Sequence, residues 1–173
     1  MRKNGFTLIE TLVAVTLLSV AIVAPVSLAA RSLQSAYYAR DQITASYLAQ
    51  EAIESVRAVR DRNIMVSRQG APIDILTGIP VGQDFLIDTR TSRMWTTCPT
   101  VPLKTDGSFY GHGADPCSME ALWEPTRFLR VVRVDFVPGT SDEVTLSVTI
   151  SWTSGVFAAR SFSISENMYR WAE

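Results

Sequence analysis

An α+β fold, one long N-terminal helix packed on an antiparallel β-sheet meander, follows from three observations on this sequence. From Phe6 to Gln69 there is no glycine, and Pro25 is the one proline. An interval so free of breakers reads as a single helix. Further on, Val144, Leu146, Val148, Ile150 and Trp152 alternate with Thr145, Ser147, Thr149, Ser151 and Thr153, the period of a strand with one buried and one wet face. Turn signals at Pro138-Gly139 and Ser154-Gly155 set that strand between two others at hairpin spacing.

The helix begins with a basic tip, Arg2 and Lys3, and an apolar run. From Phe6 to Ala30 the only charge is Glu10, and Thr11 to Ala30 carries none. That uncharged part spans roughly 30 Å as a helix, the thickness of a bilayer core. Arg2 and Lys3 orient the N-terminus toward the cytoplasm and the rest outside. Glu10 needs an explanation, because an acid at mid-helix costs roughly 2.5–3.5 kcal/mol on insertion scales and less near an end. If the bond after Gly5 is cut, Phe6 gains an amine with a pKa of about 8. Glu10 can pair with that amine, its own or a neighbour's, and so set the register in which helices pack.

At these residues the sequence resembles the prepilin family, the type IV pilins and the pseudopilins of type II secretion. A short basic leader, Met1 to Gly5, is followed by Phe6-Thr7-Leu8-Ile9-Glu10 and an apolar helix. The resemblance implies cleavage between Gly5 and Phe6 by a prepilin peptidase, N-methylation of Phe6, and filament assembly through the helix with Glu10 as the locating acid. It implies as partners other pilin or pseudopilin subunits, that peptidase, the membrane and a pilus or secretion assembly machinery. It is closest over Met1 to Ala30. Two other readings of the same stretch stand beside it. One is a secretory signal cut after Ser27-Leu28-Ala29, against which the run is long and Glu10 misplaced. The other is a signal anchor with Glu10 near the interface.

Pro25 removes a helical donor and crowds the preceding turn, so it marks a kink, either tolerated or a place where the helix melts on assembly. Beyond Arg31 the run becomes amphipathic: Ala45, Leu48, Ala49, Ala52, Ile53, Val56 and Val59 recur at spacings of three and four. The helix is expected to end near Asp61-Arg62-Asn63, and so to run from Phe6 to Arg62. The chain then divides into a leader at 1–5, a membrane and filament-core half at 6–30, an amphipathic half at 31–62 and a globular part at 63–173. The Leu48-Ala49-Gln50-Glu51 segment with Glu54 and Arg57 resembles the minor-pilin and minor-pseudopilin branch of the family, a pattern that any amphipathic helix also shows.

Residues 64–82 hold Gly70, Pro72, Gly78, Pro80 and Gly82 and read as a loop. Gln83 to Thr91 reads as a first strand with Phe85 and Ile87 on one face, and Thr96 to Pro125 as irregular. Cys98 and Cys117 are the only cysteines. Outside the cytoplasm a disulfide between them is permitted, closing the loop from Cys98 to Cys117; free thiols are the alternative. His112 is the sole histidine. With Asp115, Cys98 and Cys117 it offers zinc-type donors but no paired ligand motif, so no metal and no cofactor are expected. Asp106-Gly107 reads as a turn. No nucleophile elbow, P-loop or dinucleotide fingerprint occurs, so no catalytic residues and no enzyme are expected. The remaining strands are drawn from Phe128, Val132, Val134 and Phe136, interrupted by Arg130, and from Val156, Ala158, Phe162 and Ile164, interrupted by Arg160. Tyr169 and Trp171 close the chain as rim or contact residues.

The net charge is -1; losing Arg2 and Lys3 leaves 14 basic side chains against 17 acidic ones. The arginines are scattered and most read as solvated, which is no nucleic-acid footprint. The whole reads as a structural subunit, minor pilin or pseudopilin, that starts in the cytoplasmic membrane with its C-terminal domain outside and enters a type IV pilus or pseudopilus. The other class left open is an anchored or secreted binding module, of adhesin or DNA-uptake type, with Thr96 to Pro125 as its contact surface.

Overall fold

The computed structural model describes residues 7–71, 73–118, 123–153 and 159–169. It divides into a unit comprising Met1–Asp41 and a unit comprising Gln42–Glu173. One helix, α1, runs from Leu8 to Arg68, 61 residues.

In the first unit Thr7 caps the helix: its Oγ1 accepts the Glu10 N–H at 3.3 Å. The hydroxyls along the apolar run are satisfied by the helix itself. Thr11, Thr16 and Ser27 donate to the carbonyls of Leu8, Val13 and Ala24, and Ser19 to that of Val15, each at 2.8 Å. Such back-bonding lets a polar side chain sit in an apolar helix without water. The helical assignment passes through Pro25 without a break. The large apolar side chains from Leu8 to Leu28 are all exposed.

In the second unit the predicted face of α1 is the core: Ala45, Leu48, Ala49, Ala52, Ile53, Val56 and Val59 are all buried. The helix continues past the expected end at Arg62. Asn63 is buried and donates through Nδ2 to the carbonyls of Ile75 (2.9 Å) and Thr77 (2.8 Å), and Ile64 packs on the core. Tertiary partners therefore carry α1 to Arg68, and Gly70 (φ +91°) turns the chain away.

Eight strands follow: β1 (Asp84–Asp88), β2 (Arg93–Trp95), β3 (Lys104–Thr105), β4 (Tyr110–Gly111), β5 (Glu124–Pro125), β6 (Phe128–Phe136), β7 (Glu143–Trp152) and β8 (Arg160–Tyr169). Five form an antiparallel sheet in the order β2-β1-β6-β7-β8, and three a small antiparallel sheet in the order β4-β3-β5. β6, β7 and β8 are the expected meander. On β7 the alternate residues Val144, Leu146, Val148, Ile150 and Trp152 are buried, and they close over the buried face of α1 as one core. The expected turn at Ser154-Gly155, the strand residues Val156 and Ala158, and Trp171 lie outside the described residues.

Three further expectations are corrected. The first strand is shorter than Gln83 to Thr91, and Leu86 is buried as fully as Phe85 and Ile87, so both faces of β1 are covered. The stretch Thr96 to Pro125 contains β3, β4 and β5, strands too short to carry a periodic signal. Arg130 is not a solvated interruption of β6. It is fully buried, with Nη1 donating to the Leu48 carbonyl (3.2 Å), Nη2 to the Ile87 carbonyl (2.8 Å), and Nη1 lying 3.5 Å from Glu51. It thus ties α1 to β1 through β6. Burial lowers its pKa to about 10 while Glu51 and Asp88 pull the other way, so it remains charged at neutral pH. Arg57 joins α1 to β8, donating through Nε (2.7 Å) and Nη2 to Glu166.

Arg130→Ala is expected to lower stability by about 2 kcal/mol. The substitution leaves a cavity and strips the Ile87 carbonyl of its donor, and only part of this is offset by no longer burying a charge. Arg130→Met, which fills the space, should recover most of that loss. Chemical denaturation of the full-length chain in detergent micelles compares them. Equal midpoints for wild type and alanine variant would contradict the tie.

Candidate functional site

Two places hold the side chains that the sequence singles out, one in each unit. In the first, Glu10 stands in the opening turn of α1, exposed, where the helix N-terminus favours a carboxylate. Behind it come the charge-free Thr11 to Ala30 turns. By length and composition α1 can cross a membrane. Gly5 and Phe6 lie outside the described residues.

In the second unit Cys98 and Cys117 are joined in a disulfide with Cα atoms 5.9 Å apart. Cys98 has a positive φ of 54°, a conformation that a non-glycine residue holds only where its surroundings require it. Within the closed loop, Asp106 makes the turn: its Oδ1 accepts the N–H groups of Ser108 and Phe109, both at 2.9 Å, with Gly107 at φ +90°. Those backbone donors hold the Asp106 carboxyl below its usual range, and Arg90 adds to this. Arg90 lies over the rings of Phe109 (5.6 Å) and Trp123 (5.5 Å).

Under this loop is a buried polar cluster that sequence reading missed in part. Asp88, at the end of β1, accepts from the N–H groups of Arg90 (3.0 Å), Thr91 (3.1 Å) and His112 (3.3 Å) and from the Thr91 hydroxyl (3.2 Å). Gly111 permits this approach, since a Cβ there would lie 2.9 Å from Asp88 Oδ2. Lys104, also buried, donates through Nζ to the carbonyls of Asp115 (3.3 Å) and Ser118. His112 is fully buried with its ring edge-on to Trp95, centroids 6.2 Å apart. Among the described residues neither of its ring nitrogens has a hydrogen-bond partner. Its pKa is lowered to about 4, by burial first and by Arg130 and Lys104 beside it, against the pull of Asp88. Arg130 was legible as the charge on the apolar face of β6; Asp88 and Lys104 carried no comparable signal.

The zinc-type donors do not come together. Cys98 and Cys117 bond each other, Asp115 accepts the Cys117 N–H (2.9 Å), and His112 faces Trp95. Among the described residues no three His, Cys, Asp or Glu side chains stand close enough to hold a metal ion. Losing the disulfide, as Cys98→Ser with Cys117→Ser, should lower stability by about 2–3 kcal/mol, since the chain-entropy relation for a loop of this length gives about 3 kcal/mol. Thermal unfolding of the double variant beside the oxidised chain measures it, and a midpoint unchanged within error would remove the disulfide as a stabilising element.

Residues 1–24 match the family model for the prokaryotic N-terminal methylation motif. No curated protein and no solved structure gives a significant match to the chain.

Proposed function

We propose that this chain is a pilin-like structural subunit, a minor pilin or pseudopilin, that is cut between Gly5 and Phe6, methylated on Phe6 and built into a filament through α1. The observation that carries this reading is the methylation motif over residues 1–24 leading directly into a helix long and apolar enough to cross a membrane. Before assembly the subunit sits in the cytoplasmic membrane, its N-terminus cytoplasmic and residues 63–173 outside. Residues 6–30 span the bilayer and later form the filament core. The amphipathic half of α1, from Arg31 onward, carries the apolar face on which the sheet is laid. The subunit does no chemistry of its own; the peptidase and an assembly machinery act on it. Its partners are other subunits, each presenting Glu10 to a neighbour's Phe6 amine.

The test is the intact and N-terminal peptide mass of protein recovered from the native cell envelope. A chain that starts at Phe6 and is heavier by one methyl group is the expected result. A chain starting at Ala30 means a secreted soluble protein, and an uncut Met1 means a signal anchor; either overturns the reading.

A further inference from the structure

We infer that Arg170-Trp171 of one copy docks in a groove on the α1 flank of the next, a head-to-tail contact between copies that stand in one sense, as the proposed function has them. The groove lies within the second unit. It has a volume of about 530 Å³ and is lined by Tyr47, Leu48, Glu51 and Glu54 of α1 and by Tyr110 of β4. Positions 47, 48, 51 and 54 share one flank of a helix. Leu48 is buried, and Tyr47 is 68% exposed. Tyr110 is half-buried with its ring edge-on to Phe128, centroids 6.3 Å apart, so its wall is fixed by the core.

The lining says what fits. Two aromatic rings over an aliphatic floor suit an aromatic guest. Two carboxylates suit a cation beside it, and among the described residues lining the groove none is basic. Glu51 is engaged from behind, by the Thr89 hydroxyl and by Arg130 at 3.5 Å. Glu54 is exposed; its Oε1 takes Arg57 at 2.6 Å, and a carboxylate has acceptor sites for a second guanidinium. The residues that follow β8 at Tyr169 are Arg170 and Trp171, side chains of the types that most often anchor interfaces. In an extended docked segment neighbouring side chains point apart. An indole between Tyr47 and Tyr110 then leaves the guanidinium to reach Glu54, about 10 Å farther along α1.

Direction decides whose groove is filled. The Leu48 carbonyl accepts from Arg130, which stands in register with Ile150 and, across β7, with Phe162. Farther along α1, Arg57 is held by Glu166 of β8. α1 and β8 therefore run the same way, and Tyr169 lies roughly 20 Å beyond the level of the groove. Two further residues reach only about 7 Å, so the groove of the same copy is out of range. Where copies stand in one sense, the Tyr169 end of one faces the groove of a copy displaced ahead of it by roughly 25 Å. Such a contact is heterologous and propagates along an open filament instead of closing.

A fluorescent peptide of residues 167–173, titrated onto the full-length chain in detergent micelles, tests the contact without a filament. Its anisotropy should rise saturably on the unmodified chain. Glu54→Lys should weaken binding by about tenfold or more, because like charges then meet. A peptide carrying Arg170→Glu should bind the unmodified chain weakly and recover on the Glu54→Lys chain. Tyr47→Ala, at an exposed position outside the core, should also weaken the parent peptide. No saturable binding of the parent peptide overturns the proposal. So does equal binding by the unmodified chain and a Glu54→Lys chain whose thermal transition matches it. If Glu54→Lys does not fold, Tyr47→Ala against the unmodified chain decides. A failure here leaves the mass of the mature chain as expected, so it is told apart from a failure of the pilin-like reading.

Discussion

Glu10→Val is expected to leave membrane insertion intact and to cut incorporation into the filament fraction by at least about tenfold. The two effects separate because they draw on different terms. For insertion, Val removes a charge that costs up to about 3 kcal/mol in hydrocarbon, so the variant enters the bilayer at least as readily. For assembly, the proposed function makes the same charge the partner of a neighbour's Phe6 amine. Losing it leaves an ammonium among apolar helices, and breaking one half of a buried pair costs about 3–5 kcal/mol. A factor of ten in an equilibrium corresponds to roughly 1.4 kcal/mol, so a tenfold loss is the conservative end. Glu10→Gln keeps an acceptor but no charge, and should fall nearer Val than wild type. The measurement is the ratio of sheared-filament to membrane-fraction protein in cells carrying the assembly machinery. A ratio for Glu10→Val equal to wild type would mean that Glu10 does not set register and that α1 serves only as an anchor.

Sequence carries the parts of this fold whose signal is periodic and long. The face of α1 from Ala45 to Val59 and the alternation of β7 place each side chain on a geometric repeat, and each is buried as the repeat predicts. The extension of α1 to Arg68 was not legible, because it depends on Asn63 reaching the downstream carbonyls of Ile75 and Thr77. Nor were β3, β4 and β5, which are fixed by their neighbours rather than by pattern. Arg130 shows the limit most clearly. Its position on the apolar face of β6 was visible, but an arginine there reads equally as a broken face. Only the carbonyls of Leu48 and Ile87, brought from two other elements, make it a core residue. Glu10 is the opposite case: its isolation in an uncharged run is a sequence fact, and the proposed function gives it a partner outside the chain.

The second large effect is acid lability centred on His112. The folded state holds this imidazole at a pKa of about 4 against the ordinary 6.5, so the fold favours the neutral ring. Its contribution to stability is therefore complete above pH 6.5 and is lost as pH falls from there toward 4. At roughly 1.36 kcal/mol per pH unit the full loss is about 3 kcal/mol. The groups facing it explain the direction. Arg130 from β6 and Lys104 from β3 are cations, and Trp95 from β2 offers a ring edge. Asp88 from β1 is the nearby anion, but its oxygens are already taken by Arg90, Thr91 and the His112 backbone. A protonated His112 would be a third buried cation with one occupied carboxylate to answer it. Chemical denaturation of the full-length chain at intervals from about pH 7.5 to 4, as the difference between wild type and His112→Leu, isolates this group from the surface carboxylates. Leucine fills most of the space and leaves no unpaired nitrogen, so near neutral pH it should match wild type or exceed it. The difference should widen in favour of the leucine variant by about 3 kcal/mol toward acid. A difference independent of pH would mean that His112 finds a proton acceptor in the fold and is not held neutral by it.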